Sequence, residues 1–502
     1  MDLAGERLMR VLVVVGLALG TSACLVGPNY VKPSAPAPPS FKEPLPDAFK
    51  EAPGWTRGTP LDDMHRGKWW EIFNDPTLNS LEEQINVNNQ TLAAAEASYR
   101  GAQAAIRVAR ASFYPTLSGG VSALGTGTSG NIAISRGAQQ YALLTAPSAG
   151  ATWAPDLFGG IRRSVEANTA LAQASAGDLE NTRLLLESEL ASDYFILRGL
   201  DTEKRLLDDT VVAYQHALDL TVNRFKQGVA SQVDVAQAQT QLAQTQAQAT
   251  DTLVQRQQAE HAIAILIGKP PSELSIPVAI ERAVPPPIPG VIPSELLQRR
   301  PDIAANERRV AAANAQIGVA IAAFYPTLSL SASGGLESSS LLSLFTWPSR
   351  FWSLGPSFSE LFYDAGRRRG ITEEAQAAYD SAVANYRQSV LTAFQNVEDD
   401  LTALKVLEGE AAQQAEAVEY ANRSLELANA QYQGGITTYL QVISAQEIAL
   451  SNQVTSVQLQ TRRLTAAVAL IQALGGGWDV SELPTPKEVT PQKAQKVASV
   501  TK

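Results

Sequence analysis

The sequence is poor in the residues from which catalytic and metal sites are usually assembled. It holds 3 histidines, 3 methionines and 1 cysteine in 502 residues. His65, His216 and His261 stand too far apart for a zinc-type ligand set, and past residue 24 the only methionine is Met64, which leaves a methionine-based metal relay without support. Cys24, having no second cysteine, forms no intrachain disulfide. Lys and Arg are scattered against a net charge of −10; without a basic stripe, nucleic-acid binding is excluded. Phosphate-loop chemistry is missing too: "IGKP" (267–270) has no upstream glycine, and "GGGW" (475–478) follows no strand. The acidic run 398–400 lies in a helical stretch and reads as a solvated face. Aromatic residues make up only 7%. Tracts rich in Ala and Gln, such as 235–250, suit elongated, closely packed helices better than a bulky core.

Long apolar runs are also absent. The longest, "VLVVVGLALG" (11–20), follows Arg7 and Arg10 and precedes "TSAC". It is too short to span a bilayer as a helix and reads as a secretory signal peptide over 1–23. Cys24 at the cleavage junction resembles a lipobox, although Thr21 stands where Leu is usual. A buried thiol is the plain alternative.

What the sequence does contain is a repeat. "FYPTLS" occurs at 113–118 and again at 324–329, and the flanking 92–118 and 303–329 share 15 of 27 positions without a gap. Downstream, 217–239 answers 424–446 at an offset of 207 instead of 211. The chain is thus a tandem duplication: 70–282, a Pro-rich linker 283–293, and 294–478. Before it lies an extended N-terminal segment, 24–69; 479–502 is expected to be a disordered tail. Each copy opens with a helix, about 76–111 with Asp75 as N-cap and Pro76 in the first turn, and a counterpart ending near Ala323.

After each hexamer proline, polar and apolar residues alternate. Thr327, Ser329, Ser331 and Ser333 share one face and Leu328, Leu330 and Ala332 the other. Strands are expected near 112–128, 139–154, 323–338 and 350–362. A half-buried soluble sheet alternates equally well. Four strands cannot close a barrel, however, so a membrane sheet of this kind requires oligomerisation. About 160–225 and 366–432 are proline-free; at ~1.5 Å per residue each helix spans roughly 100 Å, a length that belongs to coiled-coil-like tubes.

With "WWEIFNDPTLNSL" (69–81), the doubled "FYPTLS", "PSELLQRRPDI" (293–303) and "IQALGGGW" (471–478), the chain resembles the TolC-like outer-membrane efflux factors, in their lipoprotein branch. The resemblance implies a mainly α fold with a small β part. In a homotrimer, four strands per protomer would complete a twelve-stranded barrel above a periplasmic α-barrel. It implies no enzyme and no cofactor beyond a covalent lipid on Cys24, with a periplasmic adaptor and an inner-membrane RND-type pump as partners. The protein would be an exit duct for drugs or other toxic small molecules. The rival is an adaptor-type or coiled-coil lipoprotein without a pore.

The hairpin tips, 226–234 and 433–441, would then face the periplasm. Lys226, Gly228, Ser231, Gly435, Thr437 and Thr438 match the family's tip motif, as adaptor contacts or as turn residues only. The gate would involve Tyr432, Tyr439, Gln441, Ser444 and Asp234. Gln441 and Ser444 stand where relatives often carry aspartates, so packing and hydrogen bonds are expected to hold it. Phe113, Tyr114 and Pro115, with Phe324, Tyr325 and Pro326, are the helix-to-strand joints, their aromatics serving as interface anchors or as joint packing.

Overall fold

The computed structural model describes residues 25–36, 38, 40–42, 68–126, 141–280, 284–286 and 298–490. The signal peptide, Cys24, most of the linker 283–293 and residues 491–502 lie outside the described residues. The first copy runs α1 (Pro76–Asn88), α2 (Gln90–Ala111), β1 (Thr116–Thr126), β2 (Tyr141–Trp153), α3 (Gly160–Lys226) and α4 (Gln232–Leu266). The second runs α5 (Pro301–Ala322), β3 (Thr327–Ser338), β4 (Arg350–Ser359), α6 (Arg367–Gln433) and α7 (Tyr439–Ala473). Lengths repeat as well: α3 and α6 have 67 residues, α4 and α7 have 35, and α2 and α5 have 22.

Where one helix over 76–111 was expected, the chain breaks at Asn89. Its backbone turns extended (ψ 124), its side chain caps the Leu92 N–H at 2.9 Å, and its amide donates to the Leu266 carbonyl at 2.7 Å. An Asn competes for backbone groups in this way, and a partner 177 residues distant is invisible to local pattern. The same joint recurs in the second copy, where α5 begins after Arg300 and the Arg300 guanidinium donates to the Ala473 carbonyl at 3.0 Å.

The four strands form one antiparallel sheet in the order β1-β2-β3-β4. The two repeats meet at β2–β3, where Thr152 pairs with Ser331. Residues 112–115 and 323–326, expected within strands, are helix ends and turns. Strands start one residue after each proline, because proline drives its predecessor out of helical geometry. Strand β4 stops at Ser359 and carries Pro356, which an edge strand tolerates. Register Leu328↔Phe358, Ala332↔Leu354 and Gly334↔Trp352 gathers the apolar side chains on one face, and Trp352 and Leu354 are 81% and 76% exposed there. Among the described residues no helix is long and apolar enough to cross a membrane.

The main core gathers side chains of the turn Trp69–Phe73, α1, α3, α6 and α7, among them Trp69, Trp70, Ile85, Tyr194, Tyr386 and Val468. Both ends of the chain brace this frame. Val26 donates to the Phe158 carbonyl at 3.2 Å, and buried Arg163 holds the Val26 and Gly27 carbonyls, each at 3.1 Å. Tyr30 donates to Glu307, and the Lys42 N–H meets Glu398 at 2.6 Å. The expected disorder of 479–502 is corrected for 479–490. Val489 is buried against Ile106 and Ala172, while Gln173 and Arg110 donate to Pro484 and Thr490 at 2.9 and 3.1 Å. Buried apolar area and polar partners order a segment whose composition alone reads as tail.

Candidate functional site

Each long hairpin turns through the same device. At the first tip Gly228 (φ 75) donates to the Phe225 carbonyl and Val229 to that of Arg224, both at 2.9 Å. At the second, Gly435 (φ 72) and Ile436 donate to Tyr432 and Gln431 at 3.0 and 2.9 Å. These are Schellman closures, and a Cβ at either glycine would meet open space, so the left-handed backbone is what requires glycine here.

Beyond the turn the tips diverge. Ser231 and Asp234 form a capping box: the Ser231 N–H donates to the Asp234 carboxylate at 2.8 Å, and the Asp234 N–H to the Ser231 hydroxyl at 3.1 Å. Thr438 caps α7 without a side-chain bond. Gln441 instead accepts from the Thr437 hydroxyl, and Ser444 is exposed one turn on. Lys226 is exposed at the end of α3. Asp234 is therefore tied to its own helix terminus, and the second tip carries neutral side chains at the expected aperture positions.

Tyr432 and Tyr439 come together, with ring centroids 5.2 Å apart, and are buried with Val442, Ile443 and Ala238 against Leu218 and Ala428. Burial pushes the Tyr439 phenol up to about 12, and a hydrogen bond with Thr221 works against this. The Tyr432 hydroxyl is buried without a partner among the described residues. Arg224, which the sequence did not single out, completes the cluster. Its guanidinium lies 4.5 Å from the Tyr432 ring centroid and donates to the Tyr432 carbonyl at 2.9 Å. The available signal was asymmetry: at the 207-residue offset Arg224 and Phe225 correspond to Gln431 and Tyr432. The first hairpin thus grips the second through one cation.

At the opposite end lie the joints. Phe113 accepts from the Trp153 indole at 2.9 Å, and Tyr114 is exposed before Pro115. Tyr325, before Pro326, stacks on Phe158 at 4.7 Å, and Arg368 lies over Phe324 at 5.2 Å. Both joint tyrosines are exposed, Tyr114 at 71% and Tyr325, against Phe158, at 41%. Among the described residues no group of three or more His, Cys, Asp or Glu could hold a metal ion.

Comparison with known proteins bears on this arrangement. The model of a family described as outer membrane efflux protein matches residues 81–269 and 292–476, one segment per copy. The chain is 32% identical over 476 residues to Outer membrane protein OprJ of Pseudomonas aeruginosa, covering 92% of this chain and 95% of that relative. It is 34% identical over 422 residues to the Solvent efflux pump outer membrane protein SrpC of Pseudomonas putida, covering 82% and 88%. Among solved structures it superposes on the outer-membrane channel OprN with a TM-score of 0.81 and 30% identity, covering 91% of this chain and 100% of that one.

Proposed function

The chain belongs to the outer membrane efflux protein family and is an outer-membrane efflux channel, and on that premise we propose that three copies assemble into one adaptor-gated exit duct. The observation that carries this reading is the open sheet. Among the described residues strands β1 and β4 end it with unpaired edges, and apolar side chains such as Leu117, Val121, Trp352 and Leu354 are exposed on it. In a bilayer such edges must be paired, and edge-to-edge closure of three sheets pairs all of them. The long helices then continue the barrel as a tube of about 100 Å into the periplasm. A duct positions and conducts; it has no bond to make or break, and no catalytic role is assigned to any residue. Cross-linking that captures trimers, together with conductance of the purified protein in planar bilayers, tests the assembly; a non-conducting monomer would overturn it.

The gate is the clasp of Arg224 on Tyr432 with the Tyr432–Tyr439 cluster, held by packing and hydrogen bonds instead of a ring of carboxylates. Gln441 and Ser444 are neutral, and Asp234 is engaged in its capping box. Docking of a periplasmic adaptor on the tips, around Lys226, Gly228, Ser231, Gly435, Thr437 and Thr438, would release the second hairpin and join the duct to an inner-membrane RND-type pump. Strong divalent-cation block that survives Asp234→Ala but vanishes in Gln441→Ala would sink the neutral gate.

Lipidation of Cys24 belongs to the same reading. Val26 and Gly27 are fastened beside Phe158 and Arg163 at the helix-to-sheet joint. Acyl chains on Cys24 would therefore enter the inner leaflet without a spacer. Mass spectrometry of the mature N-terminus reads this directly, and an unmodified Cys24 would remove it.

A further inference from the structure

The outer end of the β3–β4 hairpin carries a feature that conduction does not use. Register across the pair aligns Leu328↔Phe358, Leu330↔Pro356, Ala332↔Leu354, Gly334↔Trp352 and Leu336↔Arg350 on one face. That face is apolar along its length except for Arg350 at its outer end. Glu337, the acid of this hairpin, follows Leu336 and so lies on the opposite face. Arg350 is exposed; its guanidinium lies over the Trp347 ring and its Nε donates to the Trp347 carbonyl at 3.3 Å. Some exposed arginines on the long helices pair with acids, as Arg423 does with Glu426 at 2.6 Å and Arg205 with Asp209 at 3.2 Å. Arg350 forms no ion pair among the described residues.

The turn that presents it is built firmly. The Ser343 carbonyl accepts from the hydroxyls of Thr346 and Ser349, each at 2.6 Å, and the Ser343 hydroxyl meets that of Ser338 at 2.6 Å. Leu344 is tucked in, whereas Leu342, Phe345 and Trp347 are displayed, Leu342 being 95% exposed. A guanidinium with no carboxylate partner among the described residues, above an apolar band and flanked by two exposed tryptophans, complements a ligand with an anionic head and hydrocarbon tails. Tryptophan favours the headgroup level, and arginine at that level escapes the penalty it meets at the membrane centre while offering a fork to phosphate oxygens.

We propose that this end of the hairpin binds the phosphorylated glycolipid of the outer leaflet, Arg350 taking a phosphate and Trp347, Trp352 and Leu354 lying along its acyl chains. The site rests on reading the sheet as a barrel wall, with the β3–β4 turn on the side away from the helices. The test is native mass spectrometry of the purified trimer titrated with diphosphoryl lipid A, with the same lipid dephosphorylated, and with inorganic phosphate. Wild type should hold the diphosphoryl lipid. Arg350→Gln should weaken it about tenfold, the loss expected of one charge-assisted fork, and Arg350→Lys should weaken it less. Trp352→Ala should weaken both lipids alike, and Arg423→Gln neither. Equal binding of the two lipids by wild type, unchanged binding by Arg350→Gln, or displacement of the lipid by millimolar phosphate would each overturn the site. Conductance of the same preparation separates the two readings: an intact pore with phosphate-blind lipid binding removes the lipid site alone, whereas absence of a pore removes both.

Discussion

The two hairpin tips are copies of one device that have taken different work. Both close with a left-handed glycine and the same pair of backbone bonds. The first is self-sufficient: Ser231 and Asp234 satisfy each other, and Phe225 is left 43% exposed. The second is dependent. It lacks the side-chain cap, and it buries Tyr432 and Tyr439 partly against Leu218 and Ala238 of the first. Duplication supplied a rigid frame twice, and divergence at a few positions made one tip the support and the other the part that is held. A part that depends on contacts with its neighbour is the one that an external partner can release.

Removing the buried ring is the strongest way to break this contrast. Tyr432→Ala should weaken docking of the second tip by about 3 kcal/mol, the usual scale for deleting a buried aromatic ring. Hydrogen exchange over 428–445 should rise well above that over 218–238, and bilayer recordings should show spontaneous opening. Tyr432→Phe should leave the tip closed, because the hydroxyl it removes is buried without a partner. Equal loosening of both tips by Tyr432→Ala would show that neither supports the other.

The copies also differ in the body of the molecule. At the 207-residue offset Glu187 on α3 corresponds to Phe394 on α6. Burial pushes the Glu187 carboxyl up to about 8 from an ordinary 4.5, against the opposing pull of the Trp69 indole and Arg183. Glu82, fully buried nearby, is raised by burial and then by Glu187. A carboxyl raised in the folded state stabilises it fully below its unfolded value near 4.5, and that contribution is lost as pH rises through about 8. Thermal unfolding followed from pH 5 to 9 should therefore show stability falling by on the order of 2 kcal/mol, with Glu187→Gln flattening the slope. An identical slope in the variant would remove Glu187 as its source.

Much of the fold was legible because it was spelled twice. Pro115 and Pro326 mark strand starts to within a residue, and proline-free stretches outline both long helices. The break at Asn89 was not legible, since it depends on the Leu266 carbonyl at the far end of the first repeat. The order of 479–490 hinges on Ile106, Ala172, Gln173 and Arg110, to which no local pattern points. At the tips, the two tyrosines stood out by position, but the cation that binds one of them lies 208 residues away.

Arg224 sharpens the comparison at intermediate cost. Arg224→Ala removes a cation–π contact and a charged bond to the Tyr432 carbonyl, together about 1–2 kcal/mol at a half-exposed site. Opening events should become about tenfold more frequent. Arg224→Lys should recover part of this, because lysine keeps the charge but loses the planar stack. If the alanine variant stays as closed as wild type, the grip between hairpins comes from the apolar cluster alone.

The smallest effect isolates the caps themselves. Asp234→Ala opens the capping box and should cost α4 about 1 kcal/mol. Thr438→Ala, at the N-cap position that Ser231 holds in the first tip, should cost a few tenths at most, because Thr438 makes no side-chain cap bond to lose. Hydrogen exchange of the first turn of α4 against the first turn of α7 reads both. The expected pattern is inverse to that of Tyr432→Ala: the first tip yields to loss of its own cap, the second to loss of its neighbour. Were Thr438→Ala to loosen α7 as much as Asp234→Ala loosens α4, the second tip would be capped in its own right, and its dependence on the first would have to rest on Arg224 and the tyrosine rings alone.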